Sequence, residues 1–385
     1  MHEYTSSHKY TINIAFDMLV LHALARIYSI MYTFVSSSKL RRSYMDAIGI
    51  GDLHLTGTSG AGAWSKYWPG NSDAAILQEA QKAVDYGKSK GIANIFLYGD
   101  ICDAPKMSYQ AHQALLDFFS RNFDCQFYII LGNHEMLTAN SSTHALSLIQ
   151  AFGTACPNVH IYDKPTLEKI DGAKVNFLPF PHAEFNNHAL NVCHVDVAGS
   201  FMDSGVASKS TVEVGENIVV AGHIHTSGQV KECYYSGTMI QTNFGESIQK
   251  YFHLIHFNSI DDYEIQLIPT TPELLLMTAI INAKSDLDEA LATSKKLKQK
   301  QVWRLIVADG AEIEAEDYEG LNVVQVKSFS TKKDLQELAS GSIDYVSVDD
   351  IKPEDVFLKI LQKREDIDND MKKEIIRVRR KVLKL

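Results

Sequence analysis

Short apolar runs alternate with stretches of helical periodicity between Ala47 and Pro269. Each run is long enough for one buried strand, and strands are predicted in this way at 47–50, 94–98, 126–131, 177–180, 189–192 and 217–221. Residues 73–90 carry apolar side chains at three- and four-residue spacing, which predicts an amphipathic helix, and residues 109–122 predict another. Strands that alternate with helices are typical of layered α/β architecture, so we expect an α/β fold.

The pattern changes after Pro269. Three strands are predicted here, at 277–281, 302–307 and 323–326. A helix is predicted between the first two strands, at 286–298. We expect these elements to form a small α+β domain. The final segment predicts two helices, the first with Pro353 in its opening turn and the second capped near Asn369 or Asp370.

The first 44 residues differ from the rest of the chain. Residues 12–35 are mostly apolar, but Asp17, His22 and Arg26 interrupt them. A spanning helix needs about 20 residues with few or no charges, so we predict no membrane segment. Two interpretations of this extension stay open. It is a helix that packs on the domain or is left disordered, or it is a dispensable segment before a functional start at Met45.

Composition and charge restrict the classes of function. The 385 residues are 45% hydrophobic and 22% charged, as in ordinary globular proteins, and the net charge is −10. Such a surface as a whole does not bind polyanions, so any nucleic-acid contact must come from local basic patches, bound metal or a partner. The five cysteines are scattered without a C-x-x-C pair, which predicts reduced core residues in a cytosolic protein.

Five short motifs each follow a predicted strand. In chain order they are Asp52-Leu53-His54, Gly99-Asp100, Gly132-Asn133-His134-Glu135, His194 and Gly222-His223-Ile224-His225. Each motif is weak alone, because a single histidine is more often a hydrogen-bonded core or surface residue. Together they place every polar side chain just beyond the carboxyl end of a strand, where loops converge and sites form in open sheets. The order therefore predicts one site built from all five motifs.

These residue types suit a pair of divalent cations, which need a bridging carboxylate and a shell of carboxylate, imidazole and amide ligands. Asp100 is the predicted bridge. The other predicted ligands form two sets: Asp52, His54 and His225 for one ion, and Asn133, His194 and His223 for the other. Because no thiolate is among them, manganese, with magnesium or iron as alternatives, is favoured over structural zinc.

Two cations held in this way would activate water and neutralise phosphate charge, so the predicted reaction is phosphoester hydrolysis. His134 is the predicted catalytic residue, placed beside Asn133 to protonate or stabilise the leaving oxygen. Asp103 and Glu135 are predicted to hold histidines or loops in position from outside the ligand shell.

The five motifs resemble the calcineurin-like metallophosphoesterase superfamily over residues 46–250. Three features resemble a narrower group, the SbcD-type nuclease subunits, which are bacterial and phage counterparts of the Mre-eleven double-strand-break nuclease. These features are Gly99-Asp100-Ile101-Cys102-Asp103-Ala104-Pro105 before a helix, His194-Val195-Asp196, and Tyr235-Ser236-Gly237-Thr238 followed by Phe244-Gly245-Glu246. The last of them looks like the closing signature of the group, which simpler phosphatases usually lack.

This resemblance implies a four-layer-type metallophosphoesterase β-sandwich flanked by helices, with a small α+β capping domain and C-terminal helices. The implied parts are an N-terminal extension of unclear role (1–44), the metallophosphoesterase nuclease domain (45–269), the capping domain (270–350) and a helical partner-binding segment (351–385). The implied activity is that of a manganese-dependent DNA exonuclease and endonuclease in DNA repair and recombination. The short capping region favours a phage-encoded protein in the host cytoplasm.

The resemblance also implies partners: DNA, an SbcC-like coiled-coil ATPase and a second copy of the chain. Residues 109–122 are the candidate dimer helix, and 352–385 are the candidate ATPase-binding segment. In the last helix one apolar stripe is formed by Met371, Ile375, Val378, Val382 and Leu385. Seven Lys or Arg lie within 372–384, against Glu374 alone among acidic residues. We favour docking over DNA contact for this helix, because its apolar stripe needs a partner to cover it.

Two departures and two other interpretations remain. Some members of the group have a histidine where Asp103 stands, and the N-terminal extension has no counterpart in the group. The motifs also fit a small-substrate metallophosphoesterase, acting on a cyclic nucleotide or nucleotide with the second domain as a lid, since metal chemistry alone does not set specificity. A non-catalytic assembly subunit is disfavoured, because all the predicted ligands and His134 are intact.

Overall fold

The computed structural model describes residues 45–56, 72–136, 143–151, 153, 156–202, 206–311 and 313–331. The predictions for residues 1–44 and for the two helices in 352–385 lie outside this part of the chain. The described residues form two six-stranded sheets and one three-stranded sheet. None of their helices is both long and apolar enough to cross a membrane.

Twelve strands form the two larger sheets. In chain order they are β1 (Met45–Ile50), β2 (Asn94–Leu97), β3 (Gln126–Ile130), β4 (Val159–Tyr162), β5 (Thr166–Ile170), β6 (Ala173–Leu178), β7 (Leu190–His194), β8 (Val219–Gly222), β9 (Gly228–Val230), β10 (Cys233–Tyr235), β11 (Tyr251–Ser259) and β12 (Asp262–Pro269).

Both large sheets are mixed, with parallel strands at their centres. The first has the order β12-β11-β1-β2-β3-β4, in which β1 to β4 are parallel and β11 is antiparallel to both of its neighbours, β1 and β12. The second has the order β5-β6-β7-β8-β10-β9, in which β6, β7, β8 and β10 are parallel and the two edge strands are antiparallel. Strands covered on both faces read as continuous apolar runs, as those of β2 and β8 do.

The two sheets pack face to face around aromatic side chains. Phe177 of the second sheet stacks on Tyr162 of the first with ring centroids 4.2 Å apart, and it lies 5.8 Å from Tyr128. Its edge meets Phe96 at 5.7 Å. Stacked and edge-to-face ring pairs add about 0.5–1.5 kcal/mol each beyond the burial of their area. This inner layer fixes how one sheet lies on the other, and therefore how their strand ends meet.

Helices cover the outer face of the first sheet. They are α1 (Ser72–Ser89), α2 (Tyr109–Arg121) and the short α3 (Ser147–Ala151). The helices predicted at 73–90 and 109–122 are thus confirmed. The buried face of α1 includes Ile76, Ala80 and Val84, and α2 begins at an N-cap where the Ser108 side chain accepts from the N–H of Ala111.

The second sheet has a different outer layer. Val195, Val197, Val212 and Val214 pack against its outer face. In the described residues between 195 and 214 the chain is irregular, without a helix. The expected flanking helices are therefore observed against the first sheet, whereas a loop layer covers the second.

The third sheet follows Pro269 and consists of β13 (Leu274–Ile281), β14 (Lys300–Ala308) and β15 (Val323–Phe329). All three strands are parallel, with α4 (Lys284–Lys296) between the first two and a 3₁₀ turn at Ala315–Tyr318 before the third. This differs from the expected α+β unit. The reason is that parallel neighbours need a crossover, and α4 supplies one by packing Leu287 and Ala290 on the sheet.

Candidate metal centre

The predicted site residues converge where parallel strands of both large sheets end. Asp52 and His54 follow β1, Asp100 follows β2, and Asn133 and His134 follow β3 in the first sheet. The last residue of β7 is His194, and His223 and His225 follow β8 in the second sheet. Because the sheets pack face to face, these two rows of strand ends meet.

Asp52, His54 and His225 form the first cluster, and all three side chains are buried. The Nε2 atoms of His54 and His225 lie 3.0 Å apart. The Nε2 atom of His225 is also 3.8 Å from Asp52 Oδ2. Two imidazole nitrogens and a carboxylate oxygen therefore face one point, as the first predicted ligand set requires.

The second cluster contains Asp100, His194 and His223. His194 Nε2 lies 3.2 Å from Asp100 Oδ2 and 3.0 Å from Asn133 Oδ1. Asn133 Oδ1 is also 3.1 Å from His223 Nδ1, so the amide oxygen belongs with this cluster. Asp100 Oδ2 is 3.8 Å from His54 Nε2 of the first cluster. Asp100 thus lies between the clusters, where a bridging carboxylate is expected.

The donor set fits divalent cations. Within each cluster the ligand-capable atoms of the His and Asp side chains lie within 4.8 Å of one another. They are imidazole nitrogens and carboxylate oxygens, the mixture that divalent transition metals accept. The five cysteines are all buried and free, and none belongs to these clusters. The buried clusters are therefore consistent with a di-metal site without thiolate ligands.

His134 lies at the open side of the centre. Its side chain is 25% exposed, and its Nε2 is 3.9 Å from Asp100 Oδ2. Its ring meets that of His54 edge-on, with centroids 4.8 Å apart. Nδ1 is 3.0 Å from the carbonyl oxygen of Asp103, and the backbone N–H of His134 donates to Asp100 Oδ1 at 2.9 Å. His134 therefore lies next to the clusters with its side chain partly exposed to solvent.

The second ring nitrogen of each of the four clustered histidines faces a group outside the clusters. His194 Nδ1 donates to the carbonyl oxygen of Tyr98 at 2.7 Å. The corresponding distances are 3.2 Å from His54 Nδ1 to Asp103 Oδ1, 3.6 Å from His225 Nδ1 to Glu246 Oε1, and 4.0 Å from His223 Nε2 to Asp196 Oδ1. Such partners orient metal-binding histidines.

Asp103 is close to His54, as the predicted positioning role requires, but the sequence interpretation assigned no role to Asp196 or Glu246. Both lie in motifs on which the resemblance rests, His194-Val195-Asp196 and Phe244-Gly245-Glu246. The sequence signal that could have identified them is an acidic residue near each histidine motif. Asp196 lies two residues after His194, and Glu246 lies in the closing segment that follows His225.

Glu135 connects the loops that carry the ligands. Its carboxylate accepts the backbone N–H groups of Asp100, Cys102 and Gly132 at 3.0, 2.8 and 2.7 Å. Burial, and then the charge of Asp100, raises the pKa of Glu135 to about 7, although these N–H groups oppose the shift. Its contacts agree with the predicted holding of loops.

The electrostatics of the centre favour positive charge between the two aspartates. Burial alone would raise the pKa of Asp100, but His194, His134 and His54 together hold it well below its usual value. Conversely, burial would lower the pKa of His194, but Asp100 and Asp52 raise it to about 9. A divalent cation would supply further positive charge beside Asp100.

Three site residues have left-handed backbone conformations. The φ angles are 51° at His54, 47° at Asp100 and 83° at His223. Such values are rare for residues with a side chain and cost on the order of 1–3 kcal/mol each. They persist here because neighbouring backbone is fixed, for example by the N–H of His54 donating to the carbonyl of Asp100 at 2.8 Å.

Gly222 provides the first testable prediction. A Cβ at this position would lie 2.5 Å from Asp52 Oδ1 and 2.8 Å from His194 Nδ1, and still closer to the carbonyl oxygen of Tyr98. We expect Gly222→Ala to lower the free energy of unfolding by about 1–3 kcal/mol and to weaken Mn²⁺ binding, because the ligands must shift. Urea unfolding and Mn²⁺ titration measure the two effects.

Gly228→Ala is the matched control, because a Cβ there has no heavy atom within 4 Å. It should leave both quantities unchanged. Wild-type stability and Mn²⁺ affinity in Gly222→Ala would contradict the close packing described above.

Residues 45–227 match the calcineurin-like phosphoesterase family. This region is a calcineurin-like phosphoesterase domain. The family expected from the five motifs is thereby confirmed. All the residues of the two clusters lie within the phosphoesterase domain.

The chain is also similar to individual proteins. It is 24% identical over 220 residues to Exonuclease subunit 1 of Enterobacteria phage T4, a match that covers 50% of this chain. The match spans 59% of the length of that relative. The crystal structure of the Pseudomonas putida nuclease MPE aligns with 58% of this chain and 86% of its own, at 12% identity and a TM-score of 0.29.

Proposed function

We propose that the chain is a two-metal phosphodiesterase that cleaves DNA, as the exonuclease and endonuclease subunit of an SbcCD-like repair and recombination complex. The observation that carries the proposal is the pair of buried clusters on either side of Asp100, with the partly exposed His134 beside them. Such a centre, together with an acid for the leaving oxygen, is suited to phosphodiester hydrolysis.

The site residues have two roles, metal binding and proton transfer. Asp52, His54 and His225 would hold one ion, Asn133, His194 and His223 would hold the other, and Asp100 would contribute its carboxylate between the two sets. The ions, when bound, supply activated water and neutralise the charge of the phosphate oxygens. His134 presents Nε2 to the leaving oxygen, while the Asp103 carbonyl holds Nδ1 of the same ring. Burial would lower the pKa of His134, but Asp100 and Asp103 raise it, which favours the proton-donating form.

Three features support DNA as the substrate over a nucleotide. The similar phage T4 protein is named an exonuclease subunit. The closing signature from Tyr235 to Glu246 resembles SbcD-type nucleases, and a third sheet follows the phosphoesterase domain. We assign residues 270–350 to a capping domain and propose manganese as the metal.

A subunit requires partners. The proposed ones are an SbcC-like coiled-coil ATPase, bound through residues 351–385, and a second copy of the chain, bound through α2. In support of the latter, Tyr109 at the start of α2 is 77% exposed and Phe123 just after its end is 51% exposed. The net charge of −10 makes DNA affinity depend on local contacts, bound metal and the ATPase.

The test is hydrolysis of three substrates by the full chain with Mn²⁺. They are a labelled linear DNA duplex, a single-stranded oligonucleotide and the dye bis(p-nitrophenyl) phosphate, a phosphodiester that releases nitrophenolate. We expect duplex cleavage that EDTA abolishes and Mn²⁺ restores. Dye hydrolysis without DNA cleavage, even at low salt and with the ATPase present, would identify a small-substrate phosphodiesterase. No hydrolysis of any substrate would identify a non-catalytic subunit.

A further inference from the structure

Glu246 is a buried carboxylate surrounded by hydrogen-bond donors. Its side chain is 0% exposed. The backbone N–H of Thr242 donates to it at 3.0 Å, Asn243 Nδ2 donates at 2.9 Å, and the Thr242 hydroxyl donates as well. The ammonium of Lys250 completes this set at 2.6 Å. A carboxylate with so many donors is fixed in both position and charge.

Lys250 connects this carboxylate to a predicted metal ligand. Its side chain is 1% exposed. Besides Glu246, its Nζ donates to the backbone carbonyl of His225 at 3.0 Å. The ring of the same histidine presents Nδ1 to Glu246 Oε1 at 3.6 Å, an electrostatic contact distance. His225 is therefore held at its backbone by Lys250 and faced at its ring by Glu246.

We propose that Glu246, supported by Lys250, is the positioning residue for His225. The carboxylate favours the proton on Nδ1, so that the lone pair of Nε2 points towards Asp52 and His54. The proposal rests on the metal centre of the proposed function, but not on DNA as the substrate. It gives the segment that contains Glu246 and Lys250 a role in assembling the first ligand cluster.

A loop-stapling role is the competing explanation, because Glu246 also ties together residues 238–250. Elsewhere the chain offers a matched buried carboxylate. Glu79 on α1 is 2.5 Å from Lys82 Nζ and accepts the backbone N–H of Thr271 at 2.9 Å. It thus has a lysine and a backbone donor, as Glu246 has, but it belongs to none of the metal-binding clusters. If Glu246 only holds its loop together, its replacement lowers stability, as replacement of Glu79 does, and does not act through the His225 ring.

The experiment is Mn²⁺ titration of the full chain, by equilibrium dialysis with electron paramagnetic resonance detection of free Mn²⁺, for wild type, Glu246→Gln and Glu79→Gln. We expect Glu246→Gln to weaken one of two sites by about 10- to 100-fold, the usual effect of losing such a partner. Glu79→Gln should bind as wild type does. Circular dichroism and thermal melting establish that each variant is folded.

A double-mutant cycle with His225→Ala then tests whether Glu246 affects Mn²⁺ affinity through His225. If Glu246 acts through His225, Glu246→Gln causes no further loss of affinity in the His225→Ala background. Equal loss in both backgrounds, or wild-type affinity in Glu246→Gln, would overturn the proposal. If Glu246→Gln does not fold, Lys250→Met replaces it, and the same site must weaken.

These outcomes are separable from the proposed function. A wild-type chain that binds two Mn²⁺ ions but cleaves no DNA would contradict the nuclease assignment, whereas the effect of Glu246 on Mn²⁺ affinity would stand.

Discussion

Asp100→Asn is expected to lower Mn²⁺-dependent phosphodiester hydrolysis by roughly a thousandfold or more, since losing about 4 kcal/mol of transition-state stabilisation has that effect. Asp100 Oδ2 lies 3.2 Å from His194 Nε2 and 3.8 Å from His54 Nε2, so its negative charge serves both clusters. Asparagine keeps an oxygen that can accept the N–H of His134 but removes this charge. Initial rates on the dye and on duplex DNA, at saturating Mn²⁺, measure the effect.

The fold should survive this change, because the loops after β2 and β3 are also held by Glu135. Mn²⁺ binding should fall to one ion or fewer, which dialysis detects. Asp85→Asn is the control, because that residue is exposed on α1, outside the proposed dimer helix, and should keep the wild-type rate. A rate within about tenfold of wild type for Asp100→Asn would rule out a bridging carboxylate at this position.

His134→Gln is expected to reduce the turnover of DNA by about 10²- to 10⁴-fold, the usual contribution of a general acid. It should leave Mn²⁺ binding intact, because the ring lies at the open side of the centre. The dye should be less affected than DNA, since its nitrophenolate leaving group departs without a proton. Single-turnover rates on both substrates therefore distinguish proton donation from a general loss of the site.

Loss of Mn²⁺ binding in His134→Gln would instead indicate that His134 is a metal ligand. His134 also belongs to a third group of metal-capable side chains, with His54 and Asp100. If His134→Gln loses Mn²⁺ and both substrates suffer equally, His134 is a ligand rather than the acid. His188→Gln is the control, since His188 is exposed just before β7 and belongs to none of the groups of metal-capable side chains in the described part of the chain.

The local pattern of apolar residues was sufficient to predict many helices and strands. It failed for strands whose pairing partners lie far away in the sequence. The stripe at 73–90 matches α1 within one residue at each end, because one helix face alone decides it. The β11–β12 hairpin was not predicted, although its residues pair from Tyr251↔Pro269 to Phe257↔Tyr263 in one register, which shifts before Ser259↔Asp262. Its apolar and polar positions alternate only loosely, and its place in the sheet depends on pairing with β1, about 200 residues earlier.

The third sheet shows the same limit. Its three strands and its helix were predicted, but whether strands lie parallel depends on which edges meet. The attachment of this sheet to the preceding segment is equally remote from the sequence. The Gln241 side chain donates to the Leu276 carbonyl and accepts the Leu276 N–H, both at 2.9 Å, and it also donates to the Glu246 carbonyl. A glutamine in a loop carries no sequence signal of such a role.

By itself, the sequence determined the chemistry of the centre, because the residue types and their order at strand ends are local properties. It specified aspartate, asparagine and histidine side chains beyond five predicted strands, and with them the phosphoesterase family. Only the tertiary structure decided which side chains form each cluster and which groups orient them. His54 and His225 are 171 residues apart, and their contact exists only because two separate sheets pack face to face. The positions of Asp196 and Glu246 beside the histidines follow from the same packing, since a side chain's neighbours across a core are set by sheet order and not by distance along the chain.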